Sequence, residues 1–264
     1  MLLLNRVALI TGGAKGIGKG MALKFAEEGC SVAIADISVK DANETINEIE
    51  KIGREGLFVE CNVTDSGQLS DMVKQVIEKF GKIDILVNNA GTLLHVADPN
   101  LKSIATIPEN EWDKLLAINL KGTFLTSKAV VPFMKEKRYG KIINITSLGA
   151  VYPPAVAPHY NSAKAGVMGL TYDMACELGP FNITVNAIMP GLIRTSFYEP
   201  VLKTKTDEEK EEFFKERSKN IPLQRAGTAE DVACVALFLA SELSAYVTAA
   251  ILPVTGGLPF QPNF

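Results

Sequence analysis

Tyr160 and Lys164 lie four residues apart in a stretch of helical periodicity, so both side chains leave the same helix face. Proton transfer is the chemistry this pair permits. A phenol with an ordinary pKa near 10 is a poor base at neutral pH, and an ammonium group held beside it stabilises the phenolate and draws that pKa down. Tyrosine–lysine pairs at this spacing are also common on helix surfaces. The pair gains weight from Ser147, which follows an apolar, β-branched run at 141–145 and whose hydroxyl can converge with the phenol on one substrate oxygen. Read alone, a serine after a strand is a turn or cap residue.

A second chemical signal lies where the first apolar run, 7–11, passes into Thr11-Gly12-Gly13-Ala14-Lys15-Gly16-Ile17-Gly18 and then a helix. A phosphate must approach the backbone closely there, the turn needs positive φ, and a helix N-terminus supplies unpaired N–H donors with a favourable dipole. The spacing is GxxxGxG, and glycine in a strand-to-helix turn can also serve steric needs alone. Asp36 closes the second run eighteen residues beyond Gly18, where a carboxylate can accept both ribose hydroxyls of an adenosine. A 2′-phosphate would be repelled by Asp36, and Ile37 and Ser38 bring no arginine to offset it, so NAD is favoured over NADP. Lys15 opposes that preference, since a cation beside the second motif glycine can hold a 2′-phosphate; the bland alternative is a solvated surface lysine. Asn88-Asn89-Ala90-Gly91 ends the fourth run, at the sheet edge where ligands bind, or forms an ordinary turn.

The elements that must position these groups are legible as alternation. Apolar runs at 7–11, 32–35, 57–61, 83–87, 141–145, 183–188 and 251–254 read as strands buried on both faces of a parallel sheet. Segments 17–28, 41–52, 67–80, 109–137, 159–178 and 229–240 carry apolar residues at helical spacing. Strand, helix, strand along the whole chain specifies an α/β, doubly wound Rossmann-like sheet with helices on both faces, as one domain over 1–264. Residues 194–219 depart from the pattern: charged and helical, they read as a substrate lid.

Composition narrows the classes. At 264 residues and 47% hydrophobic content the chain can bury a large core without disulfides or a structural metal. Cys30, Cys61, Cys176 and Cys234 have no paired-ligand spacing and are expected as buried, free thiols. A net charge of -3 with no basic run argues against nucleic acid. The apolar stretches 1–4 and 232–240 are too short for a signal segment or a membrane span, so a cytoplasmic protein is expected. His95 and His159 are isolated, no metal site is expected, and His159 at a helix start is expected to meet solvent.

Together these residues resemble the short-chain dehydrogenase/reductase family, of the smaller soluble type. TGGAKGIG at 11–18, Asp36, NNAG at 88–91, Asn119, Ser147, YNSAK at 160–164, and Pro190-Gly191 with Thr195 stand in family order, from residue 6 to about 257. The resemblance implies a seven-stranded sheet ordered 3-2-1-4-5-6-7. It implies Tyr160 as general acid/base, Lys164 as its modulator and a ligand of the nicotinamide ribose, and Ser147 orienting the substrate oxygen. Asn119 would hold a water for proton relay to Lys164; without the family it reads as a polar residue satisfying a helix kink. Cofactor contacts would fall to Gly12, Lys15, Gly16, Ile17, Gly18, Asp36, Ile37, Asn62, Val63, Asn89, Ala90, Gly91, Pro190, Gly191, Ile193 and Thr195, besides Tyr160 and Lys164. A homotetramer built through 109–137 and 159–178 is also implied. Three departures stand out: Asn62 where the family usually has aspartate, Val254-Thr255-Gly256-Gly257 after Thr248-Ala249-Ala250 at the C-terminal signature, and extra length around 94–106 at the expected site mouth.

A largely apolar substrate pocket is expected from Leu93, Leu94, Leu148, Tyr152, Pro153, Pro154 and the 192–198 segment, including Leu192 and Tyr198. It suits a neutral secondary alcohol or ketone, and hydride would pass between that substrate and NAD. Two other readings compete. One is a 3-oxoacyl-carrier-protein reductase, which would use NADPH; Asp36 and the lack of a basic cluster for an acidic carrier weigh against it. The other is a non-catalytic dinucleotide-binding protein, for which the full set Asn119, Ser147, Tyr160 and Lys164 would be superfluous.

Overall fold

The computed structural model describes residues 1–93, 103–153 and 157–259. Its first half runs β1 (Val7–Thr11), α1 (Gly16–Glu27), β2 (Ser31–Asp36), α2 (Val39–Lys51), β3 (Gly56–Glu60), α3 (Ser66–Phe80) and β4 (Ile85–Asn88). The second half runs α4 (Glu109–Leu116), α5 (Gly122–Lys137), β5 (Gly140–Ile145), α6 (Pro158–Leu178), β6 (Ile183–Pro190), α7 (Glu199–Leu202), α8 (Asp207–Ser218), α9 (Ala229–Ala240) and β7 (Ile251–Val254). All strands are parallel, in the order β3-β2-β1-β4-β5-β6-β7, as the family resemblance implies.

β1 shows why the runs are unbroken. Its side chains alternate between the sheet faces, and both faces are covered. Ala8 and Ile10 join Met21 and Phe25 of α1, Ile49 of α2 and Val232 and Ala236 of α9 in one core. Val7 and Leu9 join Leu69 and Met72 of α3, Val130 and Met134 of α5 and Met174 and Leu178 of α6 in the other. Gly20 lets α1 and α9 approach: a Cβ there would lie 2.8 Å from the Ala229 side chain. α9 starts on a capping box, in which Thr228 and Asp231 satisfy each other's backbone N–H groups.

Chain order reverses between β1 and β4, which opens a crevice at their carboxyl ends. Thr11 pairs with Asn88, and Asn88 with Asn144, so the residues just past these strands share one edge. Three stretches singled out from the sequence meet there: the glycine turn, NNAG and Ser147.

Two expectations need correcting. Residues 109–137 form one helical path, but Ala117–Lys121 widens into a π turn around Asn119. Of the cysteines, Cys30 and Cys61 are buried and burial raises their pKa to about 12 and about 11, whereas Cys176 and Cys234 are exposed on outward helix faces. All four are free thiols. Among the described residues no helix is long and apolar enough to cross a membrane, and no group of three or more His, Cys, Asp or Glu is arranged to hold a metal.

Candidate active site

The glycine turn is built for backbone approach. Gly12 and Gly16 have φ of +65° and +55°, in the left-handed region where a side chain is strained. A Cβ on Gly18 would lie 2.1 Å from the Gly12 carbonyl oxygen, so nothing larger than hydrogen fits. Asn89 braces the turn, its Nδ2 donating to Thr11 O at 3.1 Å and to Gly12 O at 2.7 Å. The Thr11 hydroxyl accepts from the backbone N–H groups of Asn89 and Ala90, both at 3.1 Å. α1 starts at Gly16 with no side chain capping its first amides, which leaves N–H donors and the positive end of the helix dipole for an anion. This cradle fits a dinucleotide pyrophosphate.

At the end of β2 the Asp36 carboxylate accepts from Ala14 N and Ser38 N, each at 3.0 Å. Each oxygen keeps acceptor capacity for a ribose hydroxyl. Lys15 is not a freely solvated lysine: its Nζ lies 3.0 Å from Asp41 Oδ2. Asn62, standing where the family usually has aspartate, accepts at its Oδ1 from Thr64 N at 3.0 Å and Thr64 Oγ1 at 2.9 Å. Its Nδ2 has no partner among the described residues. Ile37 is exposed, and Ile17 is partly buried against the core. The Val63 side chain is buried under α5, where a Cβ on Gly122 would lie 2.8 Å from it. Pro190 ends β6, and a Cβ on Gly191 would lie 3.0 Å from Thr255 Cα. Ile193 is held by a bridge to Gly227.

Ser147 follows β5, and Tyr160 and Lys164, with which it was expected to converge, stand on α6. Ser147 caps a short 3-10 turn, its hydroxyl accepting from Gly149 N at 3.2 Å, and lies close enough to the Tyr160 phenol to lower its pKa. Lys164 is buried, and two consecutive β5-end residues grip it. Its Nζ donates to Ile145 O at 2.9 Å, and its own carbonyl accepts from Thr146 Oγ1 at 2.7 Å. Burial pushes the Tyr160 phenol up to about 12, Ser147 pulling against it, and pushes the Lys164 ammonium down to about 8. The spacing alone suggested that the ammonium would lower the phenol's pKa. In the protein by itself burial wins, because Nζ stands 5.8 Å from the Tyr160 ring centroid and is bonded to a carbonyl. A phenol of this kind stays protonated at neutral pH, the form that donates to a carbonyl oxygen.

Asn119 satisfies the backbone of the helix kink. Its Nδ2 donates to Leu115 O at 3.1 Å within the widened turn and to Thr92 O at 2.9 Å, while Oδ1 accepts from Thr92 N at 3.1 Å. The same Oδ1 faces Lys164 across Gly91, where a Cβ would meet Asn119 Oδ1 at 2.8 Å and Lys164 Nζ at 3.3 Å. Gly91 therefore keeps a gap open between amide and ammonium. His159 is buried, contrary to expectation; burial lowers its pKa, opposed by the Ala157 backbone and the charge of Glu111, so the ring is neutral.

Segment 194–219 crosses both sites. Thr195 and Ser196 run past the glycine turn, where a Cβ on Gly16 would lie 3.4 Å from the Thr195 side chain. The Phe197 ring centroid lies 6.1 Å from that of Tyr160, and Tyr198 packs edge-on against Phe197, Phe213 and Phe214. Arg194 pairs with Glu211 and stacks 5.1 Å over Phe214, and Arg217 lies 3.6 Å over Phe213. Of the expected pocket residues, Leu148 is buried, Leu192 and Tyr198 are half-buried, and Tyr152 is exposed. Leu94, His95 and Pro154 fall outside the described residues. Phe213, Phe214, Thr146 and Asp41 were not foreseen; their sequence signals, a Phe pair amid charges and small polar residues near motifs, have no periodicity of their own.

A family model described as Enoyl-(Acyl carrier protein) reductase matches residues 12–259. The chain is 41% identical over 259 residues to the 3-oxoacyl-[acyl-carrier-protein] reductase of Thermotoga maritima, covering 98% of this chain and 99% of that protein. It is 40% identical to a (2S)-[(R)-hydroxy(phenyl)methyl]succinyl-CoA dehydrogenase subunit of Thauera aromatica, covering 96% of each. Among solved structures it superposes on levodione reductase with a TM-score of 0.89 at 32% identity, covering 97% of this chain and 98% of that one.

Proposed function

Because the chain belongs to the short-chain dehydrogenase/reductase family of oxidoreductases, we propose that it moves hydride between NAD(H) and a neutral secondary alcohol or ketone with a ring or comparable apolar bulk. The observation that carries the substrate reading is the Phe197 ring against Tyr160, with both neighbouring arginines already engaged. An apolar wall beside the phenol favours apolar bulk, and an arginine neutralised by Glu211 offers little to a carboxylate or phosphate. A bound nicotinamide would supply the hydride donor or acceptor. Gly12, Gly16 and Gly18 would admit its pyrophosphate, Asp36 its adenosine ribose and Lys164 its nicotinamide ribose. Tyr160 exchanges the proton with the substrate oxygen, Ser147 orients that oxygen, and Asn119 with Lys164 refills the phenol. Residues 194–219 act as the lid that keeps water from the phenol.

Initial rates with NAD and NADP over cyclic secondary alcohols, hydroxy acids and 3-hydroxyacyl thioesters test this. Cyclic alcohols with NAD should give the highest kcat/KM, and Phe197→Ala should lower it about tenfold, the scale of one lost apolar contact. Turnover of charged hydroxy acids alone would reject the substrate reading. A second reading, an NADPH-dependent reductase of a carrier-borne 3-oxoacyl group, is supported by the likeness to the Thermotoga maritima protein; thioester turnover far above that of the cyclic alcohols would favour it. Family membership further supports a cytoplasmic homotetramer through 109–137 (α4 and α5) and 159–178 (α6), on which Phe124 and Tyr172 are exposed. Sedimentation at the monomer mass would remove the tetramer.

A further inference from the structure

The glycine turn contains one lysine, and its position relative to α2 is fixed by a buried contact. The Thr45 hydroxyl, wholly buried, bridges Ala14 O at 3.0 Å and Asp41 O at 3.1 Å. This ties the residue before Lys15 to the first turn of α2. Asp41 then meets Lys15 at 3.0 Å and also accepts from the Ser38 hydroxyl. Asp36 and, from the lid, Glu199 add their negative fields at the same ammonium. One cation thus faces three carboxylates beside the expected adenosine ribose.

We infer that Asp41 is a second cofactor-selecting residue: by holding Lys15 as its own counter-ion it withholds from a 2′-phosphate the cation of the glycine turn. The inference rests on the reading that Asp36 receives an adenosine ribose. Asp36 selects by repelling a phosphate placed against it. Asp41 selects differently, by neutralising a group that would attract one. A lysine ammonium is a flexible point charge able to follow a phosphate, so removing its partner converts it from a closed ion pair into an available ligand. The pair is partly exposed, and the effect should weaken as salt shortens the screening length.

Equilibrium binding of ADP and 2′,5′-ADP, followed by calorimetry, reads this without any substrate. Wild type should bind ADP more tightly; a preference for 2′,5′-ADP would reject the NAD reading itself. Asp41→Asn should shift the affinity ratio toward 2′,5′-ADP by about fivefold at low salt, the scale of one screened ion-pair contact. The shift should shrink at about 0.5 M salt. Lys15→Ala alone should leave the ratio within about twofold, and Lys15→Ala added to Asp41→Asn should erase the gain. Wild type preferring ADP while Asp41→Asn changes nothing would overturn the inference and leave the NAD reading standing. A gain that survives in the double variant would also overturn it, since loss of a negative charge, not release of Lys15, would then be the cause. Unchanged circular dichroism establishes that the variants are folded, and Asp41→Ala provides a second variant if Asp41→Asn is not.

Discussion

Lys164→Met should make the protein more stable at neutral pH while removing its activity. Lys164 is buried, and burial lowers its pKa from 10.5 to about 8. At about 1.4 kcal/mol per pH unit, holding the ammonium in the fold costs about 3 kcal/mol below pH 8. Methionine keeps the apolar stem and removes the charge, but gives up the bond to Ile145 O, worth about 1 kcal/mol. The net gain at pH 7 is about 2 kcal/mol. The pH dependence is the sharper signature. Below the folded-state value both folded and unfolded chains hold the proton, and stability is level. Between about 8 and 10.5 only the unfolded chain holds it, so wild-type stability climbs with pH by up to about 1.4 kcal/mol per unit. Tyr160, raised by burial to about 12, has the opposite slope, but only above its unfolded value of 10.0. Urea unfolding followed by circular dichroism between about pH 7 and 9.5 should therefore show the variant ahead by about 2 kcal/mol at the low end and the two proteins converging at the high end. A constant gap, or a variant less stable at pH 7, would refute the uncompensated buried charge.

Other residues give equally definite outcomes. Gly18→Ala would force a methyl against the Gly12 carbonyl, which a Cβ would approach to 2.1 Å; NADH binding, followed by fluorescence, should be lost along with several degrees of thermal stability. Retained binding would mean the turn can shift. Thr146→Val removes the hydroxyl that holds the Lys164 carbonyl, so stability should fall by about 1 kcal/mol and kcat by about tenfold with KM for NAD little changed. Thr146→Ser should restore both, and failure of that rescue would point to the methyl group instead.

The sheet was legible because its strands are buried on both faces, so Val7, Leu9 and their neighbours needed no alternation to be recognised. The glycine turn and Tyr160–Lys164 were legible because their chemistry constrains spacing along the chain. What escaped depends on contacts between distant segments. Asn119 sits in a widened turn because Thr92, 27 residues away, offers it a backbone partner. Lys15 meets Asp41 because Thr45 docks α2 on the glycine turn, a contact across 31 residues. Phe213 and Phe214 stand among charged residues on α8, whose pattern resembles a solvated face; their role emerges once Tyr198 lies against them. The phenol's high pKa likewise depends on burial, which helix spacing cannot convey. His159 was expected at the surface because helix starts usually are, and it is instead buried within reach of the Glu111 charge on α4.

The central claim is that the Tyr160 hydroxyl exchanges the proton that accompanies hydride transfer. Tyr160→Phe removes that hydroxyl and keeps the ring against Phe197. Stopped-flow turnover of a cyclic secondary alcohol, measured beside NADH affinity on the same samples, should show affinity unchanged within about twofold and turnover reduced by at least about a hundredfold. Turnover equal to wild type at equal NADH affinity would contradict the account.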